Sequence, residues 1–197
     1  MQRPFILFDD SRRLNLFPLT FTRPVAEIRI GILTIKEKWE RHLGNNSSFL
    51  VADYLQEKFP LAKNAGETYL INGGVIPEAN LVNQIINLKV GQAIIWENTV
   101  VAALMQSTPD VNYVPKVEDF SNTIKLTESP FIIANPWDIF RYNGKALELD
   151  FELITKGRKS EPISDTNKVL CPEKIFVEKG AKIECAILSA NNGPYIS

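Results

Sequence analysis

Residues 8–24 read FDDSRRLNLFPLTFTRP, and the fold turns on how this stretch is placed. It leaves a short apolar run, Phe5-Ile6-Leu7-Phe8, with the length and character of a buried strand (residues 4–8). Asp9 and Asp10 follow at once, then Ser11, Arg12 and Arg13, and a third arginine, Arg23, stands just before Pro24. Between the arginines lies FPLTFT, stiff and apolar with two hydroxyls. Charge this dense at the end of a first strand allows two readings. The arginines face an anionic ligand, or Asp9 and Asp10 pair with them as solvated salt bridges.

Downstream, apolar runs alternate with capped helical patterns. Thr34-Ile35-Lys36-Glu37 has the form of a capping box, opening a helix KEKWERHL that stops at Gly44. Phe49-Leu50-Val51 reads as a strand, DYLQEKF as a helix ended by Pro60, and TYLIN (68–72) as a strand entering the turn GGVIP. EANLVNQIINL sets Leu81, Ile85 and Leu88 on one helical face, and AIIWENTVVAALM reads as a hairpin turning at Glu97-Asn98. Residues 106–130 are polar and proline-spotted. Asn135-Pro136 starts a helix that Asn143-Gly144 is expected to interrupt before KALELDFELI. Strands alternating with helices over residues 1–155 predict an α/β sandwich with a largely parallel sheet.

Composition narrows the function. The chain has 197 residues, a net charge of −1 and 45% hydrophobic residues, enough for a real core and without the basic surplus that nucleic acid or a membrane surface calls for. No run approaches the roughly 18 apolar residues of a membrane span. The N-terminal apolar run is too short for a secretory signal, so a cytoplasmic location is expected. Cys171 and Cys185 lack metal-type spacing and read as reduced thiols. His42, the only histidine, falls at a helix end, where a solvated residue is the plain reading and a catalytic one the rare case. Trp39, Trp96 and Trp137 read as core or interface residues. No Walker loop, zinc spacing or G-x-S-x-G motif is present.

Residues 156–168 form a polar linker, and residues 169–197 change character. Val177, Ile183 and Ile187, with Ala181 after Gly180, have the spacing of a hexapeptide coil in which the aliphatics point inward. An ordinary pair of strands joined by a glycine turn fits the same residues. One rung cannot bury its own core, so it must pack on the main domain or belong to something longer.

Taken together, the R-L…P-L-T opening and the coil resemble the bacterial sugar-1-phosphate nucleotidyltransferases, among them the N-acetylglucosamine-1-phosphate uridyltransferase type and, more narrowly, a divergent branch. The similarity runs through YLINGGVIP and NPWDIFRYNGKALELDF to IFVEKGAKIECAIL. It implies a Rossmann-like nucleotidyltransferase sandwich followed by the start of a left-handed β-helix. It also implies a nucleoside triphosphate and a sugar-1-phosphate as substrates, a magnesium cofactor, and room for a homo-oligomer built through the coil. The alternative is a module that kept the sugar-nucleotide cleft and lost catalysis.

Carried over residue by residue, the resemblance is partial. Arg13-Leu14 and Pro18-Leu19-Thr20 match the family's first loop, but Asp9, Asp10, Ser11 and Arg12 stand where that loop has glycines. The family's lysine maps near Val25, and Gly74 stands where its metal-binding aspartate would be. On this reading Arg13 and Arg23 are catalytic. Ser11, Arg12, Asn72 and Gly73 hold nucleotide or sugar phosphate, and Asp9 and Asp10 are the carboxylates left for magnesium. Asn72 has a second reading as a turn former before Gly-Gly. Asp138 and Asp150 are further acids with a metal reading, against which Asp138 fits a helix cap.

Overall fold

A computed structural model describes residues 3–197. The chain divides into two compact units, one comprising residues up to Arg29 with Leu33–Ile139, the other Ile30–Ile32 with Phe140–Ser197.

The first unit is built on a six-stranded sheet in the order β2-β1-β3-β5-β4-β6. The strands are β1 (Phe5–Phe8), β2 (Ser47–Leu50), β3 (Thr68–Asn72), β4 (Gln92–Trp96), β5 (Thr99–Met105) and β6 (Asn122–Lys125). β1 pairs in parallel with β2 and β3, and β4 in parallel with β6, while β5 alone runs against its neighbours. The sheet is therefore largely parallel. FILF and TYLIN are buried along their whole lengths, as parallel strands covered on both faces must be. One face is filled by Ile6, Phe8, Leu50, Leu70, Ile95 and Phe120.

Local sequence signals fix the helices. In α1 (Ile35–Leu43) the Thr34 hydroxyl accepts from Glu37 N–H at 3.1 Å and the Glu37 carboxylate accepts from Thr34 N–H at 2.7 Å. Gly44 closes the helix with φ +67°, a conformation that costs glycine nothing. Trp39 is fully buried and donates its indole N–H to the Val75 carbonyl at 2.8 Å, and His42 sits in the last turn. α2 (Asp53–Gln56) is a single turn, and α3 (Ala79–Ile86) buries Leu81, Val82 and Ile85. The hairpin turns at Glu97, which takes φ +52°.

The polar connection 106–130, left open by its sequence, contains β6, which extends the sheet beside β4. The expected break at Asn143-Gly144 is corrected. The helix after Asn135 is one uninterrupted α4 (Pro136–Thr155). An exposed glycine inside a helix costs only about 1 kcal/mol. Packing of the second unit offsets it: Ala146 is fully buried, Asp150 accepts from Ile32 N–H at 2.8 Å, and the Asn143 amide oxygen accepts from Gly31 N–H at 2.8 Å.

After α4 the second unit forms two parallel pairs, β7 (Lys168–Leu170) with β9 (Ile187–Ser189) and β8 (Ile175–Phe176) with β10 (Tyr195–Ile196). Lys168 stands opposite Ile187 and Ile175 opposite Tyr195, so a circuit takes 19 or 20 residues. Val169 and Cys171, Ile175 and Val177, Ala181 and Ile183, Leu188 and Ala190 gather in one small core. Ile187, expected inside with Val177 and Ile183, is 73% exposed. The inward pair recurs after six residues twice and then after seven, and alternation along β9 hands the interior to Leu188 and Ala190. Both cysteines are free thiols. No helix among the described residues is long and apolar enough to cross a membrane.

Candidate functional site

β2 lies on one side of β1 and β3 on the other, so the connections from β1 and β3 leave in opposite directions. An open α/β sheet holds its ligand outside the carboxyl ends of the strands at such a switch point. Phe8 and Asn72 are register partners at the ends of β1 and β3, and the stretch Asp9–Arg23 begins there.

Asp10 caps a 3-10 turn, Ser11–Leu16, and its carboxylate accepts four hydrogen bonds. Oδ1 accepts from Arg12 N–H at 2.9 Å. Oδ2 accepts from Arg12 Nε at 3.0 Å, Arg12 Nη2 at 2.6 Å and Asn72 Nδ2 at 2.8 Å. Arg12 Nη2 also donates to the Thr99 hydroxyl at 2.8 Å, just after the turn of the β4–β5 hairpin. Phe8, Asp10, Ser11, Arg12, Asn98, Thr99, Val100, Val114 and Pro115 line a hollow of about 350 Å3. A second hollow, about 210 Å3, lies along Asp9, Leu50–Asp53 and Val111–Val114. The hollow of about 450 Å3 beside α3 carries Glu78 and Glu128 and no cation, which ill suits an anionic ligand.

Asp9 and Arg13 lie deeper. Asp9 Oδ1 accepts from Val25 N–H at 3.0 Å, and Oδ2 stands 3.5 Å from Arg13 Nε, an ion pair without a hydrogen bond. Burial pushes the Asp9 carboxyl up to about 7, against the Val25 N–H and Arg13, which pull it down; neighbouring Asp10 raises it further. Arg13 is 7% exposed. Its Nη2 donates to the Thr20 carbonyl at 2.8 Å and to the Tyr54 hydroxyl, and its guanidinium lies over the Phe17 and Tyr54 rings. Thr20 returns a hydrogen bond to the Arg13 carbonyl at 2.8 Å. Arg13 thus draws the loop closed on itself. Arg23 is exposed and makes no hydrogen bond or ion pair with another described residue.

Asn72 and Gly73 are committed to the fold. Asn72 is 2% exposed; Nδ2 reaches Asp10 and, at 3.4 Å, the Val100 carbonyl, while Oδ1 accepts from Gly74 N–H at 3.0 Å. Gly73 N–H donates to the Phe8 carbonyl at 2.8 Å, continuing the β1–β3 ladder. At Gly74 an added Cβ would stand 2.9 Å from the Ile133 carbonyl oxygen, a backbone atom that cannot swing away. Asp138 accepts from Ala134 and Asn135 N–H at 3.0 and 2.8 Å, the helix-cap reading, and Asp150 is 1% exposed.

The donor set does not fit a magnesium ion. Magnesium asks for oxygen ligands with open lone pairs in octahedral array. Asp10 Oδ2 is crowded by three N–H donors and Oδ1 accepts a fourth, Asp9 is enclosed with Arg13, and position 74 has no room for a side chain. No group of three or more metal-ligating side chains occurs among the described residues.

The sequence does not reveal Thr99 or Tyr54. Neither stands in a motif, and Thr99 meets Arg12 across 87 residues of chain through sheet topology alone.

A largely parallel sheet with a cation-bearing loop at its switch point defines the class: an α/β protein with a hollow at its strand ends. The chain belongs to the sugar nucleotidyl transferase family, whose model matches residues 5–159. Among solved structures it is similar to one from Bacillus anthracis, named for glucose-1-phosphate thymidylyltransferase and holding sucrose, at 10% identity and a TM-score of 0.42, over 74% of this chain and 96% of that one. No curated protein matches it by sequence.

Proposed function

We propose that the cleft beyond β1 and β3 binds a nucleoside triphosphate and a sugar-1-phosphate and transfers the nucleotidyl group between them. A phosphate oxygen of the sugar attacks the α-phosphorus, the α–β bridging bond breaks, and pyrophosphate leaves with the electron pair. Such transfer depends on positioning and charge rather than on covalent help from the protein. The observation that carries the reading is the Asp10–Arg12–Thr99 arrangement. A cation is held rigidly at the switch point, beside a hollow, in a chain of this family. Arg12 and the exposed Arg23 serve the phosphates, and Ser11 lines the same hollow as Arg12. Asp9, Asp10, Arg13, Asn72 and Gly73 hold the loop and strand ends in place.

A second reading, a sugar-nucleotide-binding module without catalysis, is favoured by the close approach at Gly74, which excludes the carboxylate the resemblance places there. One assay separates the two. Each of the five common nucleoside triphosphates is mixed with a panel of sugar-1-phosphates and pyrophosphate release is followed. Release dependent on both substrates supports transfer; binding of a sugar nucleotide without release supports the module.

We also propose that the C-terminal parallel pairs are the start of a left-handed β-helix. Their support is the recurrence of inward pairs and the circuit of 19 or 20 residues. Self-association through this coil is part of the same proposal. A mass measurement in solution tests it.

A further inference from the structure

We propose that this site binds nucleotide phosphates without a divalent cation, the Arg12 guanidinium taking the place and charge that a magnesium ion would have. The inference rests on the reading of the cleft as a nucleotide site and goes beyond it.

Guanidinium carries five N–H donors in a planar fork. In Arg12, Nε and both Nη2 hydrogens are spent on Asp10 and Thr99. Nη1 donates to no described residue, and Arg12 lines the hollow. The two donors left, both on Nη1 of a side chain fixed at its other edge, suit phosphate oxygens, to which arginine makes charge-assisted hydrogen bonds. The anchoring also removes the cost of ordering a long side chain on binding. Asp10 would otherwise be the natural metal ligand. It is spent on holding the arginine, and Asn72 from β3 fixes its orientation. A metal at Asp10 Oδ2 would have to displace the Arg12 guanidinium, and position 74 provides no second carboxylate to help it. One positive group at this spot therefore excludes the other.

The test is calorimetric titration of the whole chain with each of the five common nucleoside triphosphates, and with inorganic pyrophosphate as a base-free probe. Each titration is run once in EDTA and once in millimolar magnesium. For the ligand that binds, affinities in the two buffers should agree within about threefold. Arg12→Gln should weaken binding in EDTA about tenfold to a hundredfold, the loss of a hydrogen bond to a charged group, and Arg12→Lys should recover only part. Circular dichroism melts check that both variants fold, and the comparison of buffers needs no variant. Binding seen only with magnesium, or unchanged in Arg12→Gln, overturns the inference while leaving the nucleotide site standing. No binding of any probe in either buffer overturns both.

Discussion

Asn72 at the end of β3 donates to Asp10 Oδ2 at 2.8 Å, bolting the two strand ends that flank the switch point. Its other contacts, to Val100 and Gly74, are also backbone groups of the cleft floor. Asn72→Ala is expected to cost roughly 2–4 kcal/mol, since each buried group stripped of its partner costs about 1–3 kcal/mol. Urea unfolding measures it. A loss below about 0.5 kcal/mol would remove Asn72 from this role.

Arg13 is a buried cation between Asp9, Thr20, Phe17 and Tyr54. Arg13→Met should destabilise by about 3–5 kcal/mol above about pH 7, where Asp9 is charged and is left buried without its counter-charge. The melting temperature should fall by roughly 6–20 °C in a chain of this size. Arg12→Met, on a partly exposed side chain, should fall much less. Equal losses would contradict the division between a structural arginine and a ligand-facing one.

The Asp9 carboxyl, raised by burial from its ordinary 3.8 to about 7, gives stability a definite pH dependence. Between these values the folded chain holds a proton that the unfolded chain has released. The stability contributed by Asp9 is therefore fully present below about pH 4 and is lost as pH rises to about 7, at no more than about 1.4 kcal/mol per pH unit. Above that it is flat. The difference in unfolding free energy between wild type and Asp9→Asn, measured from pH 4 to 8, should trace this fall. A difference independent of pH would mean that Asp9 titrates normally.

Gly74→Asp places back the carboxylate that the resemblance leads one to expect. With a Cβ 2.9 Å from the Ile133 carbonyl, the change should cost about 1–3 kcal/mol. It should also create no magnesium affinity, which isothermal titration with magnesium chloride reads directly. A stable variant that binds magnesium would show that the backbone here yields.

What could be read from the sequence was what is encoded locally. Thr34, Glu37 and Gly44 announce α1 because capping is a contact over three or four residues. TYLIN announces β3 because a strand buried on both faces is continuously apolar. β6 escaped because NTIK is a short, mostly exposed edge strand whose position comes from its partner, Gln92–Ile95. Gly144 misled because propensity is weak against packing. Ile187 misled because one additional residue in the last repeat shifts which side chains face inward.

At the site, the sequence brought Asp9, Asp10, Arg12, Arg13 and Asn72 to one place but did not divide their work. Two arginines adjacent in sequence point to different fates: Arg13 folds back on Thr20, and Arg12 reaches across to Thr99. That difference depends on Tyr54 and Thr99, which only the assembled sheet supplies.

The most direct measurement of the central claim is a crystal structure of the chain soaked with the nucleoside triphosphate or sugar nucleotide that binds most tightly. Phosphate oxygens are expected within hydrogen-bonding distance of Arg12 Nη1, in the hollow lined by Asp10, Thr99 and Pro115, with Asp10 still holding Arg12. A ligand bound elsewhere, or phosphates resting on a metal with Arg12 turned away, would contradict it.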